Sequence, residues 1–360
     1  MTDEAERQTL ARIEARRRRP RRRLTEEHVT LAHGAGGSST HALVETIFLP
    51  AIGNELLAPL ADSAVVACGS DSRLAFTTDS YVVRPLRFPG GDIATLAVNG
   101  TINDLAAVGA TPLCLSAALI IEEGFPIATL EQLAGSLGAA AREAGVPIAT
   151  ADTKVVERTK ADGLYICMAG VGVVPAGLTL DPAAMHPGDR VLLSGTIAEH
   201  GMAVLVARGE LELEAEIASD TAALHGLAAE LLAATGGVRC MRDPTRGGLA
   251  TTLNELARAA ELSVVIDEAA LPIRPVVTGA CELLGIDPLY VANEGKLVAV
   301  VAATDSAAAL AALRSHPLGR HAAIVGEVRA EPPGMVVLET AFGGTRVVDM
   351  LAGDPLPRIC

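Results

Sequence analysis

The chain ends on a cysteine. Cys360 closes the segment Asp354-Pro355-Leu356-Pro357-Arg358-Ile359-Cys360, which carries two prolines just upstream of the thiol. Prolines disfavour a helix and keep the backbone extended, so the residue reads as a sulfur carried on an arm. About ten extended residues span at most roughly 35 Å, enough to swing the thiol between an inward and an outward pose. Prenylation is excluded, because that signal needs three residues after the cysteine. The plain alternative is an accidental thiol on a frayed end. Cys68, Cys114, Cys167, Cys240 and Cys281 are scattered without C-x-x-C spacing, which suits reduced core filler in a cytosolic chain.

A second group of residues has phosphate chemistry in reach. Asp62, Asp79, Asp104, Asp152 and Asp243 are each flanked by apolar sequence, where a carboxylate is costly to bury without a cation. Converging oxygen ligands of this kind suit Mg²⁺, which completes its shell with phosphate oxygens. A single aspartate of this sort is an ordinary cap or turn residue, and it is their number that argues for a site. Asn99 and Asn103 stand four apart on one face of an apolar helix, beside Asp104; such a stripe calls for a ligand or a partner chain. Gly36-Gly37, Gly90-Gly91 and Gly247-Gly248 are turns that could offer backbone N–H groups to phosphate, the last at a helix start. There is no Walker A lysine motif. Lys154 and Lys296 are conspicuous in a lysine-poor chain, and both follow polar turns where a phosphate-binding cation would sit.

The elements that must hold these residues are alternating short apolar runs and Ala/Leu-rich helices. Strands are expected at 64–68, 74–77, 115–121, 164–174, 190–193, 263–266, 297–302, 323–328 and 335–338. Helices are expected at 93–108, 130–144, 222–234, 249–259 and 307–313. The Pro- and Gly-bearing stretch 175–189 reads as a linker, and 360 residues suffice for two cores. The formal charge is −14, although residues 16–23 are an Arg-rich run inside an otherwise acidic body. With five Phe, three Tyr and no Trp, the chain has few platforms for stacking bases, so nucleic-acid binding is disfavoured. Acidic residues follow the Arg run directly, which disfavours export, and the apolar stretch 105–121 is broken by Gly109-Ala110-Thr111-Pro112, so no membrane span is expected.

Six motifs, taken together, carry a family resemblance. They are Phe76-Thr77-Thr78-Asp79-Ser80-Tyr81-Val82-Val83, Pro89-Gly90-Gly91-Asp92, Asn99-Gly100-Thr101-Ile102-Asn103-Asp104-Leu105-Ala106, Asp152-Thr153-Lys154-Val155-Val156, Arg242-Asp243-Pro244-Thr245-Arg246-Gly247-Gly248 and Pro357-Arg358-Ile359-Cys360. From about residue 31 to the end the chain resembles the HypE family of hydrogenase maturation proteins. The resemblance implies an α/β (α+β) protein with the two-domain fold of aminoimidazole ribonucleotide synthetase. Its N-terminal sheet would form a dimer barrel, followed by a C-terminal α/β sandwich and a flexible tail. The implied division is 1–28 a disordered leader, 29–178 an ATP-binding and dimerisation domain, 179–348 a C-terminal domain and 349–360 a mobile tail. Two positions depart from the family pattern: Ala151 replaces a glycine before Asp152, and Ala198-Glu199 replaces glycine-aspartate before His200-Gly201; the Arg-rich leader, the third departure, belongs to no family pattern.

The resemblance also implies a chemistry. A carbamoyltransferase, HypF, loads the terminal thiol; ATP then drives loss of water to leave a thiocyanate, whose cyanide passes to iron on a HypC-HypD scaffold. ATP and Mg²⁺ would bind at Asp79, Asp104, Asp152 and Asp243, with Asp62 a weaker member and Asn99, Asn103, Gly247 and Gly248 lining the nucleotide. Lys154 would neutralise the transferring phosphate, and Cys360 would carry the reacting group. Glu294 is the first candidate for the base and His33 the second. A cytoplasmic homodimer is expected. The rival readings are another ATP-dependent synthetase or kinase of the same superfamily, and a thiol carrier without catalysis.

Overall fold

The computed structural model describes residues 28–68, 73–209, 216–351, 353, 356 and 358–360. The leader expected over 1–28 therefore lies, His28 apart, outside the described residues. The first half contains β1 (Ala64–Ala67), β2 (Arg73–Tyr81), the short pair β3 (Arg87–Phe88) and β4 (Gly91–Asp92), helix α1 (Ile93–Ala107), β5 (Thr111–Glu122), α2 (Ile127–Ala144), β6 (Ile148–Val156) and β7 (Leu164–Val174). Five of these strands form one sheet in the order β1-β2-β7-β5-β6. Every neighbouring pair is antiparallel except β5 and β6, which α2 joins by the crossover that a parallel pair requires.

Helix α1 is the hinge of the architecture. Asp92 caps it, with Oδ1 accepting from Ala94 N and Thr95 N at 3.0 and 2.9 Å. It is apolar on nearly every side because it is buried on nearly every side, packed on β2, β7 and α2 and reaching into the second half. The opposite face of the sheet is open. Along β2, Ala75 and Thr77 point inward while Phe76 and Thr78 point out, and Val66, Phe76, Leu113, Val155 and Val173 are all exposed.

The second half contains β8 (Arg190–Leu193), α3 (Glu199–Ala207), α4 (His225–Ala234), β9 (Val238–Arg242), α5 (Gly248–Ala260), β10 (Ser263–Asp267), α6 (Pro275–Leu284), β11 (Val298–Val301), α7 (Ser306–Ser315), β12 (Ala323–Arg329), β13 (Met335–Glu339) and β14 (Thr345–Val348). Its seven-stranded sheet runs β14-β13-β10-β12-β8-β11-β9, with apolar clusters on both faces, one beneath α5 and one beneath α4 and α7. Strands β8 and β11 lie inside this sandwich and are buried nearly throughout, which is why they read as unbroken apolar runs. No helix among the described residues is long and apolar enough to cross a membrane.

Strands β3, β4, β6, β9 and β14 and helices α3 and α6 are not apparent from the sequence pattern. The most consequential is β6, whose residues are exposed from Ala149 to Val155. Asp152-Thr153-Lys154 reads as a polar turn, yet it is the middle of an edge strand, because an edge facing solvent needs no apolar alternation. Likewise Asp79 lies within β2, paired with Met168, and not in a turn. Ala198, one of the two departures from the family pattern, adopts φ 72° at the start of α3 and is fully buried. A left-handed backbone is a glycine conformation, so the alanine carries strain there. Ala198→Gly is expected to stabilise the protein by about 1 kcal/mol in chemical denaturation; a loss of stability would show that the methyl's packing outweighs the strain.

Candidate active site

The terminal thiol is docked inside the protein. Val82 N donates to the Cys360 carbonyl at 3.2 Å and Arg84 N to the Arg358 carbonyl at 3.1 Å, so the tail lies antiparallel beside the chain that leaves β2. Arg358 Nε returns a bond to Val82 O at 3.0 Å, and its guanidinium pairs with Asp162. Arg208 adds a bond to the Arg358 carbonyl at 3.0 Å. His200 Nε2 meets the Ile359 carbonyl at 2.9 Å, and Nδ1 meets Ser219 Oγ at 2.8 Å. Burial holds the His200 ring below its usual pKa, so it is neutral and donates from Nε2 while accepting from the serine. Leu356, Ile359 and Cys360 are buried in an apolar cluster to which both halves of the chain contribute.

Around the thiol stand acids. Burial, aided by Glu294 and Asp79, pushes the Cys360 thiol well up, and Arg246 offsets this only in part. The resting group is therefore a neutral thiol facing the Glu294 carboxyl. Glu294 is 3 % exposed, and its Oε1 has no hydrogen-bond partner. Burial first, then the charges of Asp243, Asp220 and Asp79, raise this carboxyl well above the ordinary range, with Arg246 opposing. The tail's own arginine does not face the sulfur: Arg358 is spent on Asp162, and the neighbouring cation is Arg246, to which no role is assigned from sequence.

Four of the expected ligands converge. Asp104 is raised by burial and by Asp243, Asp79 and Asp62 in turn, and Thr77 Oγ1 donates to its Oδ2 at 2.6 Å. Asp243 is pushed up to about 8 by burial and by Asp62. Asp62 is raised to about 6 by burial, despite Arg242 Nη1 at 2.8 Å from its Oδ1. Asp79 has Arg246 Nη2 at 3.8 Å. This crowd of carboxyls outnumbers its cations, and a divalent ion would relieve the mutual repulsion, so the donor set fits Mg²⁺. No three His, Cys, Asp or Glu side chains among the described residues form a ready cage, so a metal would draw phosphate oxygens into its shell. Gly247 and Gly248, with φ 79° and 62°, turn the chain from Asp243 into α5; a Cβ on Gly248 would come within 2.5 Å of the Leu289 carbonyl oxygen.

The remaining expected residues are placed differently. Asp152 and Lys154 are joined to each other at 2.6 Å in solvent on β6. That edge is three strands from Asp79 on β2, about 14 Å across the sheet, so within one chain this pair does not share an ion with the buried acids. Asn99 and Asn103 satisfy the second half of the chain: Asn99 Nδ2 donates to Thr221 Oγ1 at 3.2 Å, and Asn103 Nδ2 donates to the carbonyls of Ala222 and Glu294, both at 3.0 Å. The partner their stripe called for is a loop of the same chain. His33 is committed to its own turn, where Nδ1 accepts from Thr30 N at 3.0 Å. Lys296 is buried between Asp220 at 2.9 Å and Glu199 at 3.7 Å, and is not a free phosphate cation.

The raised carboxyls make the apo protein sensitive to pH. Asp62 and Asp243 keep protons in the fold up to about 6 and 8, whereas the unfolded chain releases them near the ordinary aspartate value of 3.8. The folded state binds the extra protons, so stability falls as pH rises across that window. Asp243→Asn should therefore raise the apo melting temperature at pH 8 by a few degrees, on the order of 1 kcal/mol, with no comparable gain at pH 4. Thermal scans at the two pH values measure this, and a destabilised variant at pH 8 would contradict the charge crowding.

Comparison with known proteins agrees with this geometry. Residues 60–174 match the model of the AIR synthase related protein N-terminal domain, and residues 186–339 that of the C-terminal domain. The carbamoyl dehydratase HypE of Cupriavidus necator is 56% identical over 332 residues, 92% of this chain and 95% of the relative. Among solved structures, a HypE-HypF complex is similar with TM-score 0.82 and 44% identity, over 86% of this chain and 100% of that one. The hydrogenase maturation protein HypE in complex with ATP gives TM-score 0.77 and 44% identity, over 92% and 100%. The chain belongs to the HypE family of carbamoyl dehydratases, built on the two-domain fold of the AIR synthase related proteins.

Proposed function

We propose that the protein dehydrates an S-carbamoyl group carried on its own Cys360, using ATP, and leaves a thiocyanate for donation as cyanide to the iron of a [NiFe]-hydrogenase. The observation that carries this reading is the docking of Cys360 against Glu294, beside the acids Asp79, Asp104 and Asp243. A thiol whose pKa is pushed up is a poor nucleophile at neutral pH, which suits a tether more than an attacking group. The similar solved complexes with HypF and with ATP support the same partner and the same nucleotide here.

The chemistry balances as two steps. The carbamoyl oxygen attacks the γ-phosphorus as the bond to ADP breaks, and one N–H proton leaves, giving an O-phosphorylated imidate on sulfur. Loss of the second N–H proton forms the C≡N bond as the C–O bond breaks and phosphate departs. Glu294, beside the tethered sulfur, would accept these protons once a bound cation offsets the acid charges that raise its pKa. Arg246, beside both Cys360 and Glu294, balances charge that develops on the oxygen. Mg²⁺ held by Asp79, Asp104 and Asp243 would neutralise phosphate oxygens; Asp62 serves by orienting Arg242. The open face of the first sheet and its edge strand β6 suit a second protomer closing a barrel, and such closure is the arrangement in which Lys154 and Asp152 could meet a phosphate. After reaction the tail must leave its groove to reach a HypC-HypD scaffold, a movement its terminal placement permits.

Intact-mass measurement tests the reading. After incubation with the carbamoyltransferase and carbamoyl phosphate, Cys360 should gain one carbamoyl group, then lose the mass of one water when Mg²⁺-ATP is added. Cys360→Ala should show neither change. Glu294→Gln and Lys154→Ala should accept the carbamoyl group and fall at least about 100-fold in dehydration rate. An unmodified Cys360 after loading would overturn the proposal, and full-rate dehydration by either variant would remove that residue from it.

A further inference from the structure

We infer that Asp220 is a positioning residue: clamped by Lys296, its carboxylate holds the backbone of the Glu294-Gly295 turn so that the Glu294 side chain stands against Cys360. The inference rests on Glu294 acting as the base proposed above. Asp220 Oδ1 accepts from Glu294 N at 3.1 Å, and Oδ2 accepts from Gly295 N at 3.3 Å and from Lys296 Nζ at 2.9 Å. Its side chain is 2 % exposed and that of Lys296 is 9 %. A buried carboxylate taking two amide N–H groups and one ammonium fixes what it holds. Glu199 is the second carboxylate on Lys296, at 3.7 Å, and is itself held by Thr196 Oγ1 at 2.8 Å.

The turn has no freedom to drift. A Cβ on Gly295 would lie 1.8 Å from the Asp220 carbonyl oxygen, so the two backbones are pressed together, and Asn103 holds the Glu294 carbonyl from the other side. The residues flanking Asp220 secure the tail and the first half of the chain. Ser219 Oγ bonds His200, which bonds the Ile359 carbonyl; Ser219 N donates to Pro89 O at 2.7 Å; and Thr221 accepts from Asn99. Three consecutive residues thus set the base and the tethered substrate from one piece of backbone. Asp220 bonds the Glu294 and Gly295 amides and Lys296, so its effect passes through the turn that carries Glu294.

The test uses full-length, carbamoylated protein and single-turnover dehydration over a range of Mg²⁺-ATP concentrations. Asp220→Ala with Lys296→Met removes the acceptors and the cation together and leaves no buried charge alone; Asp220→Asn with Lys296→Met retains one amide acceptor. The first variant should lose about 10- to 100-fold in rate at saturating ATP, with the ATP concentration for half-maximal rate changed less than about two-fold. The second should recover part of that loss. A wild-type rate in the first variant overturns the inference. So does a weakened ATP response that matches the rate loss, or equal rates in the two variants, since either marks a general structural role. Glu294→Gln run alongside separates the failures: if it dehydrates at full rate, the base assignment and this inference fall together, whereas an inactive Glu294→Gln beside an unimpaired Asp220→Ala/Lys296→Met overturns this inference alone.

Discussion

The structure depends on the docking of its own last three residues. Two backbone bonds from Val82 and Arg84, the Arg358–Asp162 pair and the His200 bond to Ile359 place a neutral thiol in a pocket of carboxyls. Arg358 adopts φ 56°, an unfavourable conformation for a residue with a side chain, and the surrounding bonds must outweigh it. That strained corner turns Ile359 and Cys360 inward. The pose combines these polar bonds with the burial of Leu356, Ile359 and Cys360 in an apolar cluster.

Around the docked tail, charge is arranged against stability. Asp62, Asp104, Asp243 and Glu294 crowd together near Arg242 and Arg246; burial raises the proton affinity of all four, Asp62 adds to that of Asp104 and Asp243, and Asp243 to that of Asp104 and Glu294. Such crowding is costly in a resting protein and useful in one that must receive a polyphosphate and a divalent ion. Behind the site the logic reverses: Asp220 is held below its ordinary pKa, because Lys296, His200 and the Glu294 amide together outweigh its burial. The front is left short of cations and the support is fully paired.

Much of this was legible in the sequence, for physical reasons. Cys360 and its prolines need no fold to be noticed, and long apolar runs such as 164–174 and 190–193 declare their strands. Strand β6 was hidden because an exposed edge lacks the alternation that marks a strand, and Asp152-Thr153-Lys154 then imitates a turn. His200, Asp220 and Arg246 were overlooked because their roles are long-range. Nothing local in Ser219-Asp220-Thr221 shows that it meets Glu294, His200 and Asn99, which lie from 19 to 122 positions away. Asn99 and Asn103 announced an unmet need, but the sequence could not say that the second half of the same chain would meet it. The alanine at position 198 is the reverse case, a departure whose cost becomes visible only through its φ.

Complementation between two inactive proteins tests whether the site acts on the tail of its own chain. Carbamoylated Glu294→Gln supplies an intact tail, and Cys360→Ala supplies an intact site; they are mixed with Mg²⁺-ATP under conditions that allow subunits to exchange. The docking seen here predicts no thiocyanate on the carbamoylated chain at any mixing ratio, and a wild-type dehydration rate that does not change with protein concentration. Thiocyanate formed in the mixture would show that the tail is processed by another chain, and would contradict the account.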